Sequence, residues 1–313
     1  MMSREALFAS TNFTAEELDI LLPICNNKYS DSANFDAALE LLVMGGRSIE
    51  QAMSMMVPEA WQSGTEIDQN KSAYYEFNST IMEPWDGPAS LIFTDGYHIG
   101  AALDRNGLRP SRYCVTHDGR LILGSEVGAV KIDPENIRKN GRLGPGQMLL
   151  VNLENASILY DEEIKRPLAG QQPYQQWVDE HLVRLSDFVV PDIVHEVLEK
   201  DKITQLQLAF GYSKEDIKFI LVPMMALGTE PIGSMGNDTA LAVFRSINTH
   251  VSNYFKQLFA QVSNPAIDPI REKAVMSLVN YLGSNRDITL NLPNHARKLR
   301  IEQPVLNLSL IHI

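Results

Sequence analysis

Residues 83–128 read EPWDGPASLIFTDGYHIGAALDRNGLRPSRYCVTHDGRLILGSEVG, and the reading of this stretch decides the fold. Ala89–Thr94 is an apolar run, Asp95-Gly96 is a turn dipeptide, and His98–Asp104 is a second run. Arg105-Asn106-Gly107 then breaks the chain, and Pro110 holds it extended. Tyr113–Thr116 and Leu121–Gly124 flank Asp118-Gly119, a strong hairpin signal because a tight hairpin turn needs residues that tolerate φ > 0. Two hairpins in succession predict at least four strands in one antiparallel sheet.

Upstream of this stretch the pattern is helical. Thr14 and Glu17 form a capping-box arrangement before a short helix, Glu16–Leu22, that stops at Pro23. Ser32 or Asn34 can cap a helix whose apolar positions are Phe35, Leu39, Leu42 and Val43, with Gly45-Gly46 ending it. Ser48 caps another, in which Met53, Met55 and Met56 read as core filler. Asp68–Ile81 carries Tyr74, Tyr75 and Phe77 in a further helix.

Downstream, Lys131–Arg142 reads as a polar connection with a helical turn at Asp133–Asn136. Gln147–Asn152 and Ser157–Tyr160 form one more hairpin, Asp161–Leu168 is a charged connection, and Gln171–Leu185 is a helix. Composition changes near Ser186–Asp201, and the remainder reads as mostly helical. Its expected helices are Thr204–Phe210, Ile217–Leu227 behind a Ser213–Asp216 capping box, Ala240–Ser246, Asn253–Gln261 and Ile270–Leu282. Helices, then strands, then helices predict an α+β layer fold rather than a doubly wound one.

The totals narrow the function classes. A length of 313 residues suits two domains, and a formal net charge of -12 argues against a nucleic-acid surface. Two cysteines point to a reducing compartment, with the cytoplasm as the expected location. No apolar run approaches the ~18–20 residues of a membrane span.

The segments WDGPASLIFTDG, ALDRNGLRPSRY and SEVG resemble the class II (N-terminal nucleophile) glutamine amidotransferase domain of the glutamate synthase large-subunit family. The shorter pattern Asp104–Pro110 also resembles the glutamine phosphoribosylpyrophosphate amidotransferases, but Arg138–Ile313 has no phosphoribosyl-binding run. EPIGSMGNDTALAVF and YFKQLFAQVSNPAIDPIREKAVMSLVNYLG look like the start of the same family's central domain. The resemblance implies a partial αββα sandwich over residues 1–185 and a mostly helical α/β central-domain segment over 186–307. Leu308–Ile313, LSLIHI, departs from the family and can be read as a translation of CTG TCT CTT ATA CAC ATC, a sequencing-library end. These residues are expected to be a non-native tail.

By the same resemblance, an intact protein hydrolyses glutamine, passes ammonia through a tunnel and adds it to 2-oxoglutarate. FMN and an iron–sulfur cluster then carry electrons from a small subunit or ferredoxin to the reductive step. The amidotransferase chemistry needs an N-terminal cysteine whose own amine is the base, and an Asn-Gly pair as oxyanion donors. It also needs an arginine and an aspartate to grip the substrate's α-carboxylate and α-ammonium. The cysteine, the arginine and the Asn-Gly pair belong to a segment before Met1, so the chain is expected to be inactive alone.

The family's Ser-Asp-Ser stretch does match Ser30-Asp31-Ser32, which makes Asp31 the expected substrate contact. On the residues alone, helix capping is the better explanation of SDS, and only the resemblance reverses that order; the two roles can coexist, with Ser32 capping while Asp31 points into the site. Cys25 and Cys114 read as ordinary small apolar residues, and no histidine–cysteine spacing suits a metal. Asn106-Gly107 is a turn, not the oxyanion pair. Arg105 and Arg109 orient the site wall or pair with Asp104 or Glu126. The glycine-rich loop Gly228–Asp238 lacks a phosphate-loop lysine. The competing reading is a non-catalytic binding module on a degenerate amidotransferase fold.

Overall fold

The computed structural model describes residues 10, 12–62, 67–85, 87–188, 199–228, 231, 240–255 and 278–302. They fall in two compact units: Met1–Val190 with Lys273–Ile313, and Pro191–Glu272. The expected loop at Gly228–Asp238 and the tail at Leu308–Ile313 lie mostly or wholly outside the described residues.

Among the described residues the first unit begins with four helices, each with a side-chain cap at its start. Thr14 and Glu17 cap α1 (Ala15–Leu21) reciprocally. Ser48 caps α3 (Ile49–Met56), and Asp68 caps α4 (Gln69–Ile81) with its carboxylate on the amides of Asn70 and Lys71. For α2 (Asp31–Met44) the expected cap shifts. Ser30, not Ser32 or Asn34, takes the Ala33 amide, because Asn34 is turned inward to exchange hydrogen bonds with the backbone of Asn26. Met53 and Met56 are fully buried in the helical core beside Leu42, Tyr74 and Phe77.

Strands β1 (Ser90–Thr94) and β2 (His98–Leu103) pair across Asp95-Gly96, and β3 (Arg112–Thr116) and β4 (Leu121–Gly124) pair across Asp118-Gly119. The two hairpins do not share a sheet, contrary to expectation. One sheet has the order β1-β2-β6-β7, with β6 at Met148–Asn152 and β7 at Ser157–Tyr160. The other has the order β4-β3-β5, with β5 at Ile137–Arg142. β2 gives its free edge to β6, and the stretch after Leu103 carries the chain across to the second sheet.

Asp104 makes that crossing. It is 3% exposed, and its carboxylate accepts the backbone amides of Ala89, Asn106, Leu108 and Arg109. Its carbonyl takes the amides of Gly107 and Gly146, both at 2.9 Å. Gly107 has φ +63, and an added Cβ would lie 2.7 Å from Pro145 Cγ, so only glycine fits there.

The polar connection expected at Lys131–Arg142 begins with the expected helical turn, Pro134–Asn136, but then forms β5. β5 is an outer strand with an exposed face, so its residues show no apolar alternation. The charged connection expected after β7 is itself a helix, α5 (Asp161–Ala169). Its Glu163 accepts the Tyr160 amide, and Ile164 and Leu168 are buried one turn apart. The following helix, α6 (Tyr174–His181), is shorter than Gln171–Leu185. Pro173 begins it, and Val183–Arg184 leave it as β8 to pair with a distant strand.

One face of the first sheet, including Phe93, Ala102 and Leu150, packs on the helices. The other face, including Ala101, Leu103 and Leu149, packs on Tyr113, Leu121 and Leu123 of the second sheet. The layers are therefore helices, sheet and sheet. Behind them Lys165, 1% exposed, reaches Asp161 at 2.8 Å and the Gly146 carbonyl at 2.7 Å. Burial holds the Asp161 carboxyl above the usual carboxylate range, against the pull of Lys165.

Of the helix expected at Ile270–Leu282, residues 270–277 lie outside the described residues, and residues 278–282 are not helical. β9 (Asn280–Leu282) and β10 (Leu299–Ile301) pair with each other, and β10 lies parallel to β8. Cross-strand bonds replace the i−4 bonds a helix through Leu282 would need, and Gly283 at φ +152 ends the strand. Arg300 meets Glu76 of α4 at 2.8 Å, and His295 stacks on Phe77.

The second unit holds α7 (Lys200–Ala209) and, after a reciprocal Ser213–Asp216 cap, a π-helical turn running into α8 (Val222–Leu227). The helix expected at Ala240–Ser246 is a single turn, Ala242–Phe244. Arg245 is extended and its Nε occupies the Ala240 carbonyl, an acceptor the helix would have used. Asn253–Gln261 begins in a short turn and then leaves the described residues.

Asp104→Asn is expected to destabilise the chain by about 3 kcal/mol, since an amide group would face backbone donors that now meet a carboxylate. Urea unfolding should show a lower midpoint with an unchanged slope.

His295 gives a pH dependence. Burial, with Arg47 nearby, pushes its imidazole down to about 4, while Asp287 opposes and Arg286 and Lys298 reinforce the shift. The unfolded chain takes this proton near the ordinary value of about 6.5. Stability from this group is therefore complete above about 6.5, falls as pH drops towards 4, and levels below that. Melting temperatures of His295→Leu should show a shallower decline over that window than those of the parent chain.

Candidate functional site

The residues to place are Asp31, the two cysteines and the Arg105–Pro110 turn. Asp31 is the first residue of α2, directly after the Ser30 cap. An acid in the first turn complements the helix dipole. Its side chain is exposed and has no hydrogen-bond or ion-pair partner among the described residues. The expectation that Ser32 caps the helix is replaced by a Ser30 Oγ···Ser32 Oγ contact of 3.1 Å.

Beside this helix end is a groove of about 650 Å³. α2 forms one wall with Ser32, Asp36 and Leu39, and β1–β2 form the other with Ile92, Phe93 and Ile99. Ser32 directly follows Asp31. Phe93 fills its place because its cross-strand partner is Gly100: a Cβ at Gly100 would come within 2.2 Å of the Phe93 ring. Trp85 fixes the approach to β1, its ring meeting Phe35 of α2 edge-on at 5.2 Å.

The groove is open at the β1 edge. β1 has one strand neighbour among the described residues, and Ile92 is 68% exposed. The lining of this groove begins at Ser32 and does not include Asp31, whose exposed carboxylate lies one residue before it.

The other sequence candidates lie outside this groove. The amides of Asn106 and Gly107 are both donated to Asp104, so they are occupied within their own turn and offer no oxyanion hole. The Asp104 carboxylate meets backbone donors rather than the Arg109 guanidinium, so of the alternatives for Arg109 an ion pair with Asp104 is not formed. Cys114 sits mid-strand in β3 opposite Ile122 and Asn140, and Cys25 has its Sγ 3.8 Å from the Asn34 carbonyl.

An iron–sulfur cluster is held by a converging set of cysteines, or of cysteines with histidines, whereas Cys25 and Cys114 lie on separate elements, Cys25 beside Asn34 and Cys114 within β3. No group of three or more His, Cys, Asp or Glu side chains suited to a metal occurs among the described residues. No helix among them is long and apolar enough to cross a membrane.

Sequence reasoning missed Arg47 and Asp104. Asp104 had a signal, since an Asp two residues before an Asn-Gly turn can take the turn's amides. Arg47 had none, because its partners lie more than 240 residues away in the chain.

Residues 1–177 match the family model for class-II glutamine amidotransferases, and the chain belongs to that family. Residues 205–312 match the glutamate synthase central domain, which separates it from the phosphoribosylpyrophosphate enzymes.

The chain is 45% identical over 307 residues to the glutamate synthase [NADPH] large chain of Bacillus subtilis, covering 98% of this chain and 20% of the relative. It is 43% identical to the glutamate synthase [NADH] of Schizosaccharomyces pombe, covering 98% of this chain and 15% of that protein. With the ferredoxin-dependent glutamate synthase of Pyropia yezoensis it shares 42% identity, over 98% of this chain and 20% of the relative. The chain thus spans a fifth or less of the length of these relatives.

Proposed function

We propose that this chain is the section of a glutamate synthase large subunit that joins the later part of the glutaminase domain, residues 1–185, to the start of the central domain, residues 186–307. The observation that carries this reading is an amidotransferase match at 1–177 followed in the same chain by a central-domain match at 205–312. Relatives named for NADPH, NADH and ferredoxin support the reaction class without selecting the donor. The non-catalytic module has no observation of its own in its favour.

In this reading Asp31 receives the α-ammonium of glutamine as a charge-assisted hydrogen-bond acceptor. Phe93 and Ile99 form part of the wall beside the bound substrate. The nucleophile, its base and the oxyanion donors come from strands that precede this chain and pair with the open edge of β1. Ammonia released there is added to 2-oxoglutarate in a reductive step assigned to the remainder of the protein. The flavin and the iron–sulfur cluster belong with that remainder, and so does the site for a small subunit or ferredoxin.

Glutaminase assays of this chain, beside the same chain with the preceding segment restored, test the assignment. Only the extended protein should release glutamate and ammonia from glutamine. In it, Asp31→Ala should raise KM for glutamine by about 10- to 100-fold, the cost of one hydrogen bond to a charged group. Unaided activity of the short chain would place the nucleophile at Cys25 or Cys114 and overturn the reading. An unchanged KM in Asp31→Ala would remove Asp31 from the site.

A further inference from the structure

The helix that begins at Asp31 is held at its other end by a segment that follows it by some 240 residues in sequence. α2 runs 14 residues from Asp31 to Met44, and at 1.5 Å per residue this makes a rod of about 21 Å. Gly45 and Gly46 end it, with Gly46 at φ +102, and the Arg47 amide returns to the Leu42 carbonyl.

The Arg47 side chain is 4% exposed. Its Nε donates to the Ile288 carbonyl at 2.7 Å, Nη1 to Asn291 Oδ1 at 2.8 Å, and Nη2 to the Leu290 carbonyl at 2.9 Å. Asn12 Nδ2 links the same parts, donating to the Gly45 carbonyl at 3.2 Å and to Thr289 Oγ1 at 2.8 Å. The approach is close enough to demand glycine: a Cβ at Gly45 would lie 2.5 Å from Thr289 Cγ2. Ile288 is 1% exposed within the helical core, and Asn291 Nδ2 reaches Tyr174 Oη of α6 at 3.2 Å.

The chemistry of this contact is one-sided. A buried guanidinium is matched by two backbone carbonyls and an amide oxygen of Ile288–Asn291. Each acceptor has a fixed position, so a guanidinium fork fits them where a lysine ammonium would reach fewer. Removing them would leave a buried charge without its acceptors, which is costly. The position of the helix's C-terminal end therefore depends on where Ile288–Asn291 sits. These residues fall in the central-domain match, whereas α2 falls in the amidotransferase match.

We propose that Ile288–Asn291 is a clamp by which the central-domain segment sets the position of α2, with Arg47 as the positioning residue and Asp31 as the group positioned. The clamp tunes glutamine binding rather than the chemical step, because a rigid helix transmits a shift at one end to the other. This inference rests on the reading of Asp31 as the contact for the substrate's α-ammonium.

The test uses the protein with its preceding segment restored, and it has two readouts. Amide hydrogen exchange over residues 34–38 reports the start of α2, with the β1–β2 amides as the internal reference. Steady-state kinetics report KM and kcat. In Arg47→Gln, exchange over 34–38 should quicken by about tenfold while β1–β2 is unchanged. KM for glutamine should rise by about fivefold with kcat within about twofold, and Arg47→Lys should fall between the two. Asn291→Ala, which removes one acceptor from the far side, should act in the same direction and serves if the Arg47 variants do not fold.

Unchanged exchange and KM in Arg47→Gln and Asn291→Ala would overturn the clamp. A uniform rise in exchange that includes β1–β2 would mark a merely structural role and overturn it too. If KM responds to Asp31→Ala but not to the clamp variants, the clamp falls and the reading of Asp31 stands. If exchange responds to the clamp variants while Asp31→Ala leaves KM unchanged, the physical clamp stands and the reading of Asp31 falls, taking the tuning of glutamine binding with it.

Discussion

A buried carboxylate governs how this chain folds. Asp104 lies at the end of β2, where a continuing hairpin would have kept the next strand in the same sheet. Its side chain instead collects four backbone amides, and its carbonyl collects the Gly107 and Gly146 amides. A carboxylate so buried is tolerated only because its lone pairs are matched by donors. The result is a tight crossing from the first sheet to the second, which lets the sheets pack face to face. Gly146 extends the arrangement, since its carbonyl receives Lys165, and Lys165 in turn pairs with Asp161 at the start of α5. Turn, sheets and helical layer are thus connected through the buried Asp104 and Lys165, the half-buried Asp161 and one glycine.

That connection places the groove. With β2 pinned at one end by Asp104 and paired with β6 along its length, the β1–β2 hairpin presents Phe93 to the helices and leaves the outer edge of β1 without a strand partner among the described residues. α2 lies alongside, with Asp31 at its exposed start and Arg47 beyond its buried end. One wall of the groove is held by packing and by the cross-strand fit of Phe93 over Gly100. The other wall is held by the clamp of Ile288–Asn291. A helix start is a suitable place for a carboxylate that must meet a ligand's ammonium, because the acid there also complements the helix dipole and needs no other partner.

Much of this was legible in the residues. The two Asp-Gly hairpins, the caps at Thr14 and Ser48, and the methionine-rich core of α3 carry local signals, and each forms where its signal lies. What escaped depends on distance or on solvent. β5 has an exposed face and so no apolar alternation, while α5 carries Pro167 inside it and is charged in its first turn. β8, β9 and β10 span two or three residues each and are held by a partner more than 100 residues away or by one beyond the long connection 283–298. The shift of cap from Ser32 to Ser30 turns on Asn34, whose partner Asn26 no periodicity reveals. Asp31 emerged through the Ser-Asp-Ser resemblance alone, since an exposed acid at a helix start is chemically ordinary.

The central claim is that α2 presents Asp31 to the α-ammonium of glutamine in a groove completed by preceding strands. The most direct measurement is a crystal structure of the protein with that segment restored, inactivated by a diazo-ketone analogue of glutamine that leaves the amino-acid head group intact. The account predicts an Asp31 carboxylate oxygen within about 3 Å of the analogue's nitrogen, the length of a charge-assisted hydrogen bond, with Phe93 and Ile99 beside the ligand. An ammonium held by other residues, with Asp31 facing solvent, would contradict it.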